Sequence, residues 1–361
     1  MNSVQFLAFA GSSAVELPRD PSRVRADALK AETALVIYAH LRRWNDASSR
    51  TSLRKRIAAR PSDVTNGAST LFLSDIDLWM ISVYADFAGL VEQQPKLRHS
   101  LGLYGDQLAV MGEHLNLLLL LLQARTTHMV ALEEAGVQAT VADLDRGFWR
   151  RYFDNRYAGY TSSEPPVRCV PDRDDSSQLR VEVIVDPVSI PLVADLGWDI
   201  SHARRLVHLF DALERNRRAV GAVYGLTSSV IPSAEVAAAF ARQLRLKVWN
   251  QSRERPLFAN YFSGVNGWYR VAYDNGTGRC REGYPPYGLS DSFPTGGYAT
   301  WVKFDPALGL LAQRIYGITT SSDSADRAFV DKFYRALGSR VAPNVRELNE
   351  LMFWPTLIGN L

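Results

Sequence analysis

Asp199 and His202 stand three residues apart in the run Gly197-Trp198-Asp199-Ile200-Ser201-His202-Ala203-Arg204-Arg205, which reads as the start of a helix. On a helix that begins at Trp198 or Asp199, this spacing puts both side chains on one side of the first turn. A helix N-terminus favours a carboxylate and disfavours an imidazolium. A neutral histidine beside an ionised aspartate is a proton-transfer pair. The same residues also read as plain structure, with Asp199 or Ser201 capping the helix and His202 packed beneath the cap. Residue types and spacing leave both readings open.

A second group of candidates lies between Pro256 and Phe304, where the composition turns to aromatics, glycine and asparagine. Sugar rings present apolar faces that stack on Trp and Tyr, and hydroxyl rims that bond to Asn, Asp, Arg and His. Trp268, Tyr269, Tyr284, Tyr287, Tyr298 and Trp301 supply the first kind of group, and Asn260, Asn266 and Arg270 the second. The alternative is that these aromatics form the core of a small sheet. Trp149, Tyr152, Tyr157 and Tyr160 supply either an opposite wall or further core.

The elements that must position these residues are mostly helical. Ile76, Trp79, Met80, Val83, Phe87, Leu90 and Val91 follow the i, i+3, i+4, i+7 spacing, after Ser74 and Asp75 as start signals. Stripes at Leu35-Tyr38-Leu41, at Leu108-Met111-Leu115 and at Leu144-Phe148-Tyr152 complete four helices before Tyr160. Five more follow the break: around Ala203–Leu213, Val236–Val248, Leu308–Ile315, Phe329–Leu337 and Val345–Met352. Leu179–Val185 alternates as a strand between Pro-rich and Asp-rich turns. Val4–Ala10, followed by Gly11-Ser12-Ser13-Ala14, reads as a strand or packed arm, or alternatively as a trimmed export signal without a basic lead. The aromatic segment 256–304 reads as an ordered functional loop with one or two short strands, because unstructured loops of that length are uncommon. The whole chain, 1–361, reads as one mainly α domain.

Composition narrows the classes. Hydrophobic residues make up 47% of the chain and charged residues 22%, which excludes disorder. Lys+Arg 41 against Asp+Glu 38 is too balanced for a protein whose affinity comes from neutralising phosphates, so no nucleic-acid partner is expected. The longest aliphatic run, Leu115–Leu122, is short of a bilayer span, and no membrane-spanning segment is expected. No cofactor or metal is implied. Gly276-Thr277-Gly278 lacks the frame of a phosphate cradle, and His99, His114 and His128 lack zinc spacing. Cys169 and Cys280 exclude a multi-cysteine zinc site, leaving one bridge or two free thiols.

Taken in order, Asp199-x-Ser201-His202, then Phe258-x-Asn260-Tyr261-x-x-Gly264-x-Asn266-Gly267-Trp268, then Gly296-Gly297-Tyr298-x-x-Trp301-x-x-Phe304-Asp305-Pro306 resembles bacterial (α/α) toroid proteins related to carbohydrate-active enzymes. The resemblance covers residues 195–318. It implies a ring of antiparallel helix pairs, a glycan substrate, a periplasmic or secreted setting, and Asp199 and His202 at the catalytic end. Hydrolysis would pair Asp199 with a second carboxylate such as Asp291 or Asp186. β-Elimination from a uronate would use His202 or a tyrosine as base, with Asn260 or an arginine neutralising the carboxylate. Trp198 stands where such rings carry an acid, and this motivates the alternative of a non-catalytic binding or effector protein that keeps the ring.

Overall fold

A computed structural model of the chain describes residues 3–17, 24–64, 69–133, 136–148, 161, 164–185, 193, 195–273 and 279–358. The protein is mainly helical, with two small antiparallel sheets of two strands each. It divides into two compact units. One comprises Met1–Ala59, Leu73–Arg125 and Arg205–Ala237; the other comprises Arg60–Phe72, Thr126–Arg204 and Ala238–Leu361.

The first unit is built on α1 (Ser3–Glu16), α2 (Val24–Trp44), α3 (Ala47–Ala58), α4 (Asp75–Gln93), α5 (Lys96–Ser100), α6 (Gly105–Arg125) and the long α8 described below. α4 is its centre. Ser74 and Asp77 form a capping box, each side chain accepting the other's backbone N–H. Beyond that cap, every residue from Ile81 to Val91 is buried, so the helix is enclosed on all sides, not along the single stripe its spacing suggests. Each buried Leu, Ile, Val or Phe there contributes about 1.5–3 kcal/mol. α1, α2 and α8 (Arg205–Tyr224) pack against it.

The N-terminal segment is a correction. Val4–Ala10 is neither strand nor arm but part of α1, because Val4, Leu7, Ala8, Gly11, Ala14 and Val15 recur at helical spacing and are buried, while Phe6 and Phe9 point outward. One described helix, α6, is long and apolar enough to cross a membrane by length and composition, and half of its apolar window is buried inside the protein.

The second unit includes the hairpin β1 (Thr126–Leu132) and β2 (Gln138–Leu144), in register from Thr126 opposite Leu144 to Leu132 opposite Gln138. This corrects the helix expected from Leu144, Phe148 and Tyr152. Leu144 ends a strand and Phe148 sits in the turn after it, so their four-residue spacing spans a change of structure; Tyr152, with Trp149, Tyr157 and Tyr160, lies outside the described residues. The expected strand at Leu179 is β4 (Leu179–Val183), paired with β3 (Val167–Pro171). Helices α7 (Ile200–Ala203), α9 (Ala234–Gln243), α10 (Ser292–Thr295), α11 (Ala307–Thr319), α12 (Ser324–Phe333) and α13 (Pro343–Ile358) account for the remaining stripes, with Leu244–Val248 continuing α9 as a π turn. The described residues of the aromatic segment, 256–273 and 279–304, hold isolated bridges, Trp249 to Phe258 and Tyr269 to Tyr284, and helical turns at Ser292–Thr295 and Tyr298–Lys303 in place of the expected strands.

Candidate functional site

Asp199 is held on three sides by backbone. It bridges Tyr261, Ile200 N–H donates to Asn260 O (3.0 Å), and Phe262 N–H donates to Trp198 O (2.7 Å). Upstream, Trp198 N–H reaches Leu144 O at the end of β2 (3.4 Å). Gly197 fits that crossing because a Cβ would lie 2.4 Å from the same carbonyl. The chain thus enters α7 at a fixed angle, with Asp199 as its N-cap.

The cap and the proton-transfer pair turn out to be one arrangement. Asp199 Oδ1 accepts from the N–H groups of Ser201 (2.9 Å) and His202 (3.1 Å) and from the Ser201 hydroxyl, while Oδ2 lies 2.6 Å from His202 Nδ1. The carboxylate is 0% exposed and the His202 side chain 19% exposed. Burial pushes the Asp199 carboxyl up, but the charge of a protonated His202, hydrogen bonds from His202 and Ser201, and the nearby Arg270 guanidinium outweigh it and hold the group at about 2. An ionised Asp199 fixes the proton on Nδ1, which leaves Nε2 as the nitrogen that can accept one. Tyr269 Oη is 3.1 Å from the same Nδ1, and the rings of Trp198 and Tyr269 meet His202 edge-on.

Tyr269 is placed by its bridge: its N–H donates to Tyr284 O (2.9 Å) and Tyr284 N–H returns to Tyr269 O (2.7 Å). Gly283 makes this close pairing possible, since it has φ +110° and a Cβ would meet Tyr269 O at 2.9 Å. The next residue, Arg270, has φ 54°, and Ala272 has φ 57°, left-handed conformations that cost a non-glycine residue about 1–2 kcal/mol. The Arg270 guanidinium lies over the rings of Tyr269 (5.3 Å) and Tyr273 (4.8 Å). Arg270 and Trp268, on either side of Tyr269, line a cavity of about 540 Å³ together with Tyr273, Arg281, Glu282, Tyr284, Arg335 and the two cysteines. Cys169 and Cys280 are joined as a disulfide with a Cα–Cα distance of 5.7 Å, linking β3 to the aromatic segment.

The other anticipated residues separate into two groups. Arg270 is at the cavity; Trp268 lines it too but is buried, packed with Val167 and Val271; and Asn266 is near it in sequence, its Oδ1 accepting Tyr287 N–H (2.7 Å). Asn260 is fully buried and committed to the loop: its Nδ2 donates to Gly267 O (2.9 Å) and Pro285 O (2.8 Å), and its Oδ1 accepts Leu289 N–H (2.9 Å). Tyr298 and Trp301 are buried in the core, where the Tyr298 hydroxyl donates to Ile200 O (2.8 Å) and its ring meets Trp301 edge-on. Asp291 is pushed up to about 6 by burial, against the opposing pull of the Ala336 amide and of Arg335 and Arg204. Asp186 lies outside the described residues.

Asp143 was not singled out by the sequence. It is completely buried, it is pushed up to about 7 by burial, and its Oδ1 accepts Leu144 N–H (2.8 Å). No spacing rule marks an aspartate at the buried end of a strand. Among the described residues, no group of three or more His, Cys, Asp or Glu is arranged to hold a metal ion. Comparison of the chain with models of known protein families, with characterised proteins and with solved structures finds no match.

Proposed function

We propose that the protein is a carbohydrate-active enzyme that cleaves a polysaccharide or oligosaccharide, with His202 as general base and Asp199 as the group that orients it. The observation that carries this reading is the 2.6 Å contact between His202 Nδ1 and the buried, ionised Asp199 carboxylate. A carboxylate in that state fixes the tautomer and stabilises the imidazolium formed when Nε2 takes a proton. The cavity lined by Trp268 and Arg270, the residues that flank Tyr269 in sequence, carries aromatic and hydrogen-bonding side chains that support a sugar as the ligand, although Asp199, His202 and Tyr269 are not among its lining residues. The ring of antiparallel helix pairs and the periplasmic or secreted setting belong to the same proposal, and the Cys169–Cys280 disulfide supports the setting.

Two cleavage routes fit a histidine base. In hydrolysis, His202 draws a proton from water as the water attacks the anomeric carbon, and a protonated carboxyl such as Asp291 gives its proton to the departing oxygen. In β-elimination, His202 removes the proton beside a uronate carboxylate, the electron pair forms a carbon–carbon double bond, and the glycosidic oxygen leaves and takes up a proton. Incubation with neutral and acidic glycans separates them: new reducing ends without ultraviolet absorbance mark hydrolysis, and both together mark elimination. Silence over a broad panel defeats the enzyme reading.

A second reading, a non-catalytic glycan-binding protein, is favoured by the completeness with which Asp199 serves as a cap. Asp199→Asn decides between them, since asparagine still caps a helix. An enzyme loses turnover by roughly 10²–10⁴-fold while the helical circular dichroism is retained; a binder keeps its affinity unchanged.

A further inference from the structure

The cavity that opens beside Tyr269 is unusual in its charge. Arg270, Arg281 and Arg335 line it, with Glu282 as the acidic residue among them. Glu282 is partly engaged, its Oε1 accepting the Cys169 N–H at 3.3 Å. Arg335 donates from Nε to Lys332 O (3.3 Å), and its charge also bears on the buried Asp291. Arg270 is held in a left-handed backbone conformation and sandwiched against Tyr269 and Tyr273. A strained backbone that presents a stacked guanidinium to a cavity is the kind of feature that persists where the group it presents has a task.

The same walls carry the half-buried ring of Tyr284, an aromatic face suited to the apolar side of a pyranose, while Trp268 packs with Val167 and Val271 beneath them. The volume of about 540 Å³ falls in the range of small-ligand sites. Guanidinium groups match the planar fork of a carboxylate with two parallel hydrogen bonds, which a neutral hydroxyl rim does not offer.

We propose that this cavity is a subsite for an anionic sugar, a uronate, whose carboxylate is received by the arginines at positions 270, 281 and 335 and whose ring lies on Tyr284. The inference rests on the carbohydrate reading above and sharpens it to acidic glycans. It places the charged group of the substrate next to Arg270, the residue that also acts on Asp199.

Isothermal titration calorimetry on the full chain tests it with three probes: an oligouronate, a neutral oligosaccharide of the same length and linkage, and the sulfated form of the neutral one. At low salt the oligouronate should bind at least about tenfold more tightly than the neutral sugar, with an affinity that falls as salt is added. Arg281→Gln, at an exposed position, and Arg335→Gln should each weaken oligouronate binding by roughly three- to tenfold, with unchanged circular dichroism and little effect on the neutral probe. Equal binding of neutral and uronate probes, or indifference to both substitutions, overturns the subsite. Equal binding of the sulfated and carboxylated probes overturns the carboxylate assignment. A neutral glycan bound and cleaved as well as a uronate removes this inference and leaves the carbohydrate reading standing, whereas failure of every saccharide to bind removes both.

Discussion

Asp86 in the first unit and Asp199 in the second are equally hidden from water, yet burial leaves them in opposite states. Asp86, on α4, accepts from Arg215 Nη2 and Asn216 Nδ2, both at 2.9 Å, and both reach the same oxygen, Oδ1. Its Oδ2 has no hydrogen-bond partner among the described residues. Burial therefore outweighs the Arg215 charge and pushes the group up to about 6. Asp199 uses both oxygens, with two amides, a hydroxyl and an imidazole donating, and is held at about 2. Asp199 is kept ionised by the charges of His202 and Arg270 together with hydrogen bonds from His202 and Ser201, whereas Asp86 leans mainly on Arg215 and leaves one oxygen without a hydrogen bond among the described residues. Asp86 fastens helices, since Arg215 also reaches Ser12 and Glu16 of α1 and Asp211 of α8. Asp199 is a charge prepared for a neighbour that changes its own.

The largest expected effect falls on the second unit alone. Reducing the Cys169–Cys280 bridge, which spans a sequence separation of 111, should lower its stability by roughly 4–5 kcal/mol on the chain-entropy account. Hydrogen exchange should then show faster exchange around β3 and the aromatic segment and little change in α4. Equal loosening of both regions would break the contrast between them.

Asp199→Ala comes next. It leaves the amides of Ser201 and His202 and the imidazole without their acceptor, and should cost about 3–5 kcal/mol in urea unfolding. A loss below about 1 kcal/mol would mean that the four donors do not act together.

The pH dependence should differ in sign. Asp199 lies below its ordinary value of 3.8, so its contribution to stability is full above about pH 4 and is lost as the pH falls through about 2. Asp86 lies above the same ordinary value, so its contribution is full below about pH 4 and is lost as the pH rises through about 6. Unfolding free energies of the parent, Asp199→Asn and Asp86→Asn across pH 2–7 should show the first variant flattening the acid side and the second flattening the pH 4–6 side. Parallel curves for all three would refute the assignment.

The smallest effect belongs to Asp86→Asn at neutral pH. Asparagine reproduces the uncharged form that burial favours and can still accept from Arg215 and Asn216. The change should fall within about 1 kcal/mol of the parent, in either direction, by chemical denaturation.

Much of the helical framework was legible along the chain. α4, α8, α11 and α12 each follow the 3.6-residue spacing, and β4 alternates as a strand does. α1 was missed because two phenylalanines at exposed positions mask the buried stripe of small residues between them. Leu144 and Phe148 mimic a helical stripe because four-residue spacing persists by chance across the end of a strand. In the site, Asp199 and His202 were legible because their partnership is local, within one turn. Composition pointed to Arg270, which lines the cavity, but the same criterion selected Trp268, Tyr298 and Trp301, which the structure buries, and Asn260, whose amide it spends on the loop.

The sequence by itself determined the local features: which segments form helices, the cap that starts α7, and a histidine three residues from an aspartate. These depend on backbone geometry and neighbours within a turn, both of which spacing encodes. Only the tertiary structure decided that Tyr269 meets His202, that Arg270, Arg281 and Arg335 line one cavity, and that Cys169 finds Cys280. Those pairings join residues 11 to 111 positions apart, and no periodicity reaches across such distances, because they are set by how loops close and what burial leaves on the surface.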